Sequence, residues 1–547
     1  MATFKDIPYA LPPVGRRRWM PPVPAPAWRG LRPASSFGPA CIQRRSDPGS
    51  FYPNAPASQS EDCLSLNVWA PWPAADAPVI VWIHGGNLIQ GSGAQYDGTA
   101  LATRGVVLVT INYRMDIFGY FSHRELTAES ANHSSGNYGT LDQIEALRWV
   151  RRNIAAFGGN PANVTIMGES AGALSVTHLM ASPLATGLFQ RAIAESAYLP
   201  PIPELREGRF GLPAAEQAGA ALAAAANAPT LHALRTLDPQ SLLEASERTH
   251  FVTQSVVDGW VQPREILETF EQGREQHVPL IIGFNRDEAR SFVGYPGVVP
   301  PIPPDAATYE KLIRCRYGDL SDSYLTVYPA AHPKDSVFAA IRDAFYGWAA
   351  EKLAREHSKR APTWLYRFDH VTAPAAVKEL GAYHASELQF VFGDVGGHAP
   401  SWLNFLGSPQ RPSDVKMSAV IMDYWVTFAR NGRPDPGGQP TWVPFDAETE
   451  AQMAFHDGAA VSSAHLEAGM FGLHEEVVAR RRRAGDMPWF INNVGLGAPE
   501  PETGINCAKP ATSGKTSSDH SVFGVMMLAK TKAMDRPSLA SALGGDN

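Results

Sequence analysis

Short apolar runs recur along the chain at Val79 to Ile83, Val106 to Asn112, Asn163 to Met167, Arg191 to Ala194, Pro279 to Gly283 and Trp364 to Phe368, and their length and β-branched content predict buried strands. Between them, Leu141, Ile144, Leu147, Val150, Ile154 and Phe157 recur at spacings of three and four. That period places one apolar face on a helix able to cover a sheet. Alternating strands and helices predict an α/β fold with a mostly parallel sheet. The alanine-rich stretch from Pro213 to Pro239 has no strand signal and is predicted as a helical insertion or cap. After about residue 495 the periodicity fails. Residues 496 to 547 are rich in Gly, Ser, Lys and Pro, with one apolar patch from Val522 to Leu528, and are expected to be a loosely held tail behind a domain of residues 1 to 495.

Composition narrows the function classes. With 547 residues, 44% of them hydrophobic, the chain can build a large single-core enzyme or two ordinary domains. A net charge of -7 with no long basic stripe argues against nucleic acid as a partner. Two arginine runs, Arg16 to Arg18 and Arg480 to Arg483, are expected to be solvated faces. No stretch approaches the run of about twenty apolar residues that a membrane span needs. The N-terminus lacks the basic-then-apolar pattern of a signal peptide, so a soluble chain is expected and its compartment is left open. Ser513 to Thr516 mimics the end of a phosphate loop, but Lys509 replaces the first glycine and no strand precedes it. Nothing fixes an oligomeric state; a monomer is the simpler expectation.

The chemistry concentrates in Asn163 to Ala173, where a β-branched strand runs into Gly168-Glu169-Ser170-Ala171-Gly172 and then into small helix formers. A serine on so tight a strand-to-helix turn is strained, and flanking glycines are needed because a Cβ there meets the neighbouring chain. Ser170 is thereby aimed outward beside a helix N-terminus, whose free N–H groups favour developing negative charge. A second apolar strand ends in His84-Gly85-Gly86-Asn87. The N–H groups of Gly86, Asn87 and Ala171 are candidate donors for an oxyanion, each worth about 10²–10³ in rate.

With these motifs stands a set of longer segments: Phe4 to Gly15, Glu61 to Pro71, Trp82 to Gly91, Gly136 to Trp149, Phe157 to Ala173, Gly283 to Glu288 and His384 to Gly393. Together they resemble the type B carboxylesterase and cholinesterase family of α/β-hydrolases, over roughly residues 4 to 495. The resemblance implies a sheet flanked by helices with helical insertions capping the site. It implies a triad of Ser170, Glu288 and His384, in the chain order that the fold requires. On chemistry alone Asp287 and Glu288 can both orient an imidazole; the resemblance selects Glu288 and leaves Asp287 a structural carboxylate. The implied reaction forms an acyl-enzyme on Ser170, with His384 as base and no metal or organic cofactor.

By the same resemblance Glu169 organises water and charge in the pocket, and Ser196 hydrogen-bonds the triad acid. Here, however, the usual Gln-Ser-Gly reads Glu195-Ser196-Ala197, so a rearranged network is expected. Cys41 and Cys63 match the family's first disulfide, whereas Cys315 and Cys507 match no pair and are expected to be free thiols. The residue usually glycine or alanine beside the oxyanion is Asn87. The loop from Cys41 to Cys63 holds no tryptophan, only Phe51 and Tyr52, which argues against choline selectivity. The expected substrates are uncharged esters of small or medium size. A non-catalytic binding module on the same fold, and amide, thioester or carbamate cleavage, are the alternatives.

Overall fold

The structure, a computed structural model, describes residues 1–44, 51–52, 56, 58–293, 295, 297–396, 406–407, 409–465 and 468–499. The described residues form the strands β1 (Ala2–Pro8), β2 (Ala40–Cys41), β3 (Gln59–Ser60), β4 (Ser65–Ala70), β5 (Ala77–Ile83), β6 (Val107–Ile111), β7 (Gly159–Glu169), β8 (Arg191–Glu195), β9 (Leu280–Asn285), β10 (Thr363–Phe368), β11 (Ala451–His456) and β12 (Ala459–Ala464). Ten of them form one sheet in the order β1-β4-β6-β5-β7-β8-β9-β10-β11-β12. From β6 through β11 every neighbouring pair is parallel, while β4 and β12 run antiparallel to their neighbours. The six predicted strands are β5 to β10.

Burial on both faces explains why those strands read as continuous apolar runs. Along β5, Val79, Val81 and Ile83 enter one core and Ile80 and Trp82 the other, as the two-residue strand period requires. The first core is closed by the helices Tyr138–Asn153 and Ala171–Ala181, including the predicted Leu141, Ile144, Leu147 and Val150. The second is closed by the helix Pro412–Asn431 through Met417, Ile421, Trp425 and Phe428. The alanine-rich stretch forms the helices Ala215–Ala225 and Leu231–Thr236, followed by Pro239–Arg248.

Three expectations need correction. Arg18 is buried rather than solvated: its guanidinium pairs with Glu61 at 2.6 Å and donates to the Leu237 carbonyl at 2.8 Å, tying the N-terminal segment to the helical insertion. Arg481 likewise donates to the side chain and carbonyl of Asn493. Order continues past residue 495, where Leu496 and Ala498 pack into the core. The remaining tail expectations, with Cys507 and the Ser513 to Thr516 segment, lie outside the described residues. No helix among the described residues is long and apolar enough to cross a membrane.

Candidate active site

The parallel strands deliver the site at their C-terminal ends. β7 ends on Glu169, and Ser170 caps the helix Ala171–Ala181 with φ 56° and ψ -121°, a left-handed conformation that costs energy for any residue with a Cβ. The flanking glycines make the turn possible. A Cβ on Gly172 would lie 2.0 Å from the Ile83 carbonyl oxygen, and one on Gly168 would lie 2.5 Å from the Gly172 carbonyl carbon. The Ser170 N–H donates to the Glu195 carbonyl of the next strand at 2.9 Å, which pins the turn to the sheet.

Around Ser170 the structure gathers residues more than a hundred positions away. His384 Nε2 is 2.9 Å from Ser170 Oγ, and His384 Nδ1 is 2.5 Å from Glu288 Oε2. Glu288 is fully buried, and its other oxygen accepts the Asn285 N–H at 2.8 Å and the Ser196 hydroxyl at 2.6 Å. With one carboxylate oxygen saturated and the other facing Nδ1, the imidazole keeps its hydrogen on Nδ1 and presents a lone pair at Nε2 to the serine. The rearrangement expected from Glu195-Ser196-Ala197 does not occur, since Ser196 still bonds Glu288. Asp287 is occupied elsewhere, by Arg290 at 3.0 Å and by the Ala382 N–H at 3.0 Å. Tyr52 donates to the His384 carbonyl at 2.8 Å, and the rings of Phe292 and Tyr346 lie 5.2 Å from the imidazole.

The loop after β5 forms the other wall. Gly86 and Asn87 both have positive φ, 100° and 56°, which glycine and asparagine tolerate best. A Cβ on Gly86 would meet the Gln90 carbonyl oxygen at 2.1 Å. The Gln43 amide clamps this loop, donating to the Gly91 carbonyl and accepting the Gly91 N–H, both at 2.9 Å. Below it His84 stacks on Tyr113 at 4.5 Å, and burial pulls its pKa down to about 4, so it stays neutral. Gly86, Asn87, Ser170 and His384 line one cavity. Ala171 occupies the first position of the helix Ala171–Ala181, where a backbone N–H has no acceptor within the helix.

Four carboxyls in this region are buried: Glu169, Glu195, Glu288 and Glu387. Glu169 Oε1 lies 3.2 Å from His384 Nε2, and burial, followed by Glu288 and Glu195, pushes its pKa well above the usual range. Burial also raises Glu195, to about 8, against the lowering effect of the Trp425 indole N–H that it accepts. Glu387 is raised by burial first and then by its acidic neighbours, while the Asn285 amide donates to it. The roles of Glu195 and Glu387 are not signalled by sequence spacing. Among the described residues no group of His, Cys, Asp and Glu is arranged to hold a metal ion.

The cavity walls are aromatic: Tyr52, Tyr198, Phe292, Tyr295, Phe345 and Tyr346 line it, and no Lys or Arg does so among the described residues. Phe345 and Tyr346 come from a π-helical segment, Asp343–Gly347, a widened turn of the kind often found at functional sites. The Cys41–Cys63 disulfide is present and anchors the segment carrying Gln43. Cys315 corrects the expectation of a free thiol, because its sulfur is disulfide-bonded.

A serine on a strained strand-to-helix turn, with histidine and a buried acid behind it on a mostly parallel sheet, defines a serine hydrolase of the α/β-hydrolase fold. The chain belongs to the carboxylesterase family, whose model matches residues 1–469. It is 36% identical to the para-nitrobenzyl esterase of Bacillus subtilis (strain 168), over 82% of this chain and 89% of that protein. It is 35% identical to the fumonisin B1 esterase of Sphingopyxis macrogoltabida, over 84% and 85%, and to the cocaine esterase of Oryctolagus cuniculus, over 82% and 86%. A solved para-nitrobenzyl (PNB) esterase structure superposes with a TM-score of 0.72 at 32% identity, covering 86% of this chain and 95% of that one. The activity of the chain is that of its family, hydrolysis of carboxylic esters by a serine enzyme.

Proposed function

We propose that Ser170 is the nucleophile, His384 the general base and Glu288 the acid that orients it, and that the substrates are uncharged esters of small or medium size. The observation that carries this reading is the unbroken chain from Ser170 Oγ through the imidazole to Glu288, at 2.9 and 2.5 Å. His384 takes the serine proton as Oγ attacks the ester carbonyl. The developing oxyanion meets the N–H groups of Gly86, Asn87 and Ala171. His384 then returns the proton to the departing alcohol, and water repeats the cycle on the acyl-enzyme. The walls support the substrate class: aromatic rings receive apolar acyl and alcohol groups, and among the described residues the cavity offers no Lys or Arg to an anionic ester.

The test compares kcat/KM for ethyl butyrate and for the monoethyl ester of succinate, in the parent and in His384→Ala. The neutral ester is expected to be preferred at least about tenfold, and His384→Ala is expected to lose about 10²-fold or more on both. Preference for the anionic ester would overturn the substrate assignment, and retained activity in His384→Ala the assignment of the base.

A further inference from the structure

Glu195, the last residue of β8, is tied to the reacting centre through its backbone and its side chain. Its carbonyl accepts the Ser170 N–H, and in the sheet register it lies between Glu169 and Gly283. The next residue, Ser196, holds Glu288. The Glu195 carboxyl is completely buried. One oxygen accepts the indole N–H of Trp425, and Oε2 meets no donor among the described residues. A buried carboxylate with a single neutral donor is costly, and a carboxylic acid in the same place costs much less.

Burial is what raises Glu195, and the titratable groups around it feel its charge in turn. Glu169 stands beside it on β7, Glu288 follows β9, His384 and Glu387 lie on the segment from residue 384, and Tyr366 is on β10. Glu169, Glu387, Tyr366 and Tyr96, the last from the loop after β5, are each raised by the charge that Glu195 would carry. No Lys or Arg pairs with Glu195 among the described residues. Among the described residues, only Glu288 in this cluster has partners on both oxygens.

We propose that Glu195 is a positioning residue that works as a neutral carboxylic acid, with its proton on Oε2, and that loss of this proton to hydroxide shuts ester turnover down at alkaline pH. This deepens the reading of Ser170 as nucleophile and rests on it. Deprotonation transfers the Oε2 proton to hydroxide, giving water and a carboxylate. That charge appears on the register partner of Glu169, one strand over from the chain that carries Ser170. It holds the proton on Glu169, the carboxyl next to His384, more firmly, and it opposes the negative charge that must develop at the neighbouring Ser170. Burial places the change at about pH 8. Glutamine has the same shape, can still accept from Trp425, and never ionises.

The experiment measures kcat/KM for ethyl butyrate by pH-stat at pH 7 and pH 9, in the full-length parent, Glu195→Gln and Glu195→Asp. The parent is expected to fall about tenfold between the two pH values, as one ionisation near 8 requires. Glu195→Gln is expected to fall less than twofold, and Glu195→Asp to keep an alkaline decline. Infrared difference spectra supply a second readout, a carboxylic-acid C=O band that is present at pH 7, lost by pH 9.5, and absent from Glu195→Gln. A parent-like decline in Glu195→Gln, or no titrating band assignable to Glu195, overturns the proposal. The band does not depend on which residue is the nucleophile, so failure of that reading would show separately, as turnover in Ser170→Ala.

Discussion

Gly172→Ala tests how tightly the two halves of the site are pressed together. The new Cβ would stand 2.0 Å from the Ile83 carbonyl oxygen, 3.0 Å from the Ile83 carbonyl carbon and 3.1 Å from the His84 carbonyl carbon. All three are backbone atoms at the junction of β5 and the Gly85-Gly86-Asn87 loop, so no side chain can rotate away. Restoring ordinary contact at 3.4 Å requires the loop and the nucleophile helix to separate by about 1.4 Å. Overpacking of this kind costs about 1–3 kcal/mol of stability. The catalytic cost is larger, because a misplacement of about 1 Å lowers rate about 10²-fold. Gly437→Ala is the control, since its Cβ would meet nothing within 4 Å. The assay is kcat/KM on para-nitrophenyl acetate together with the thermal midpoint. Gly172→Ala is expected to lose at least about 10²-fold in kcat/KM while still folding, with Gly437→Ala unchanged. Activity within threefold of the parent would refute the claim that close packing of β5 on the elbow positions the oxyanion donors.

Three further outcomes are expected. Asn87 lines the cavity, and a side chain that crowds the alcohol group requires Asn87→Gly to raise the ratio of kcat/KM for tert-butyl acetate over ethyl acetate; a ratio at or below the parent's would place that side chain elsewhere. Replacing Cys41 and Cys63 by serine should cost about 3 kcal/mol in chemical denaturation, from the 22-residue separation that the disulfide closes, and no loss would contradict it. His178 is buried with its pKa lowered to about 3, so the folded protein leaves it neutral while the unfolded chain protonates it below about 6.5. Its contribution to stability is therefore lost as pH falls through that window. His178→Gln should gain on the parent by about 2 kcal/mol between pH 7 and pH 5, and a constant difference would refute this.

Where local chemistry dictates geometry, the sequence was legible. The elbow at Ser170 is readable because only glycine fits at 168 and 172, and β5 to β10 because strands buried on both faces must be apolar throughout. Glu288 was separated from Asp287 by family resemblance, and the physical difference lies in tertiary surroundings: Asp287 faces Arg290, whereas Glu288 faces the imidazole. The burial of Arg18 was hidden because its partners, Glu61 and the carbonyls near Leu237, are distant in sequence and ordinary in type. The raised pKa of Glu195 was hidden for the same reason, since it comes from burial by residues distant in sequence and is opposed by Trp425, 230 positions away. Cys315 carried no spacing signal for its disulfide.

The nucleophile itself can be tested in one measurement. The parent is treated with an excess of an organophosphonate ester, and the adduct is mapped by peptide mass spectrometry alongside residual esterase activity. The expected result is one label per chain, on the peptide containing Ser170, with activity lost in proportion to labelling. A label on another residue, or full labelling that leaves ester hydrolysis intact, would contradict the assignment of Ser170 and the mechanism built on it.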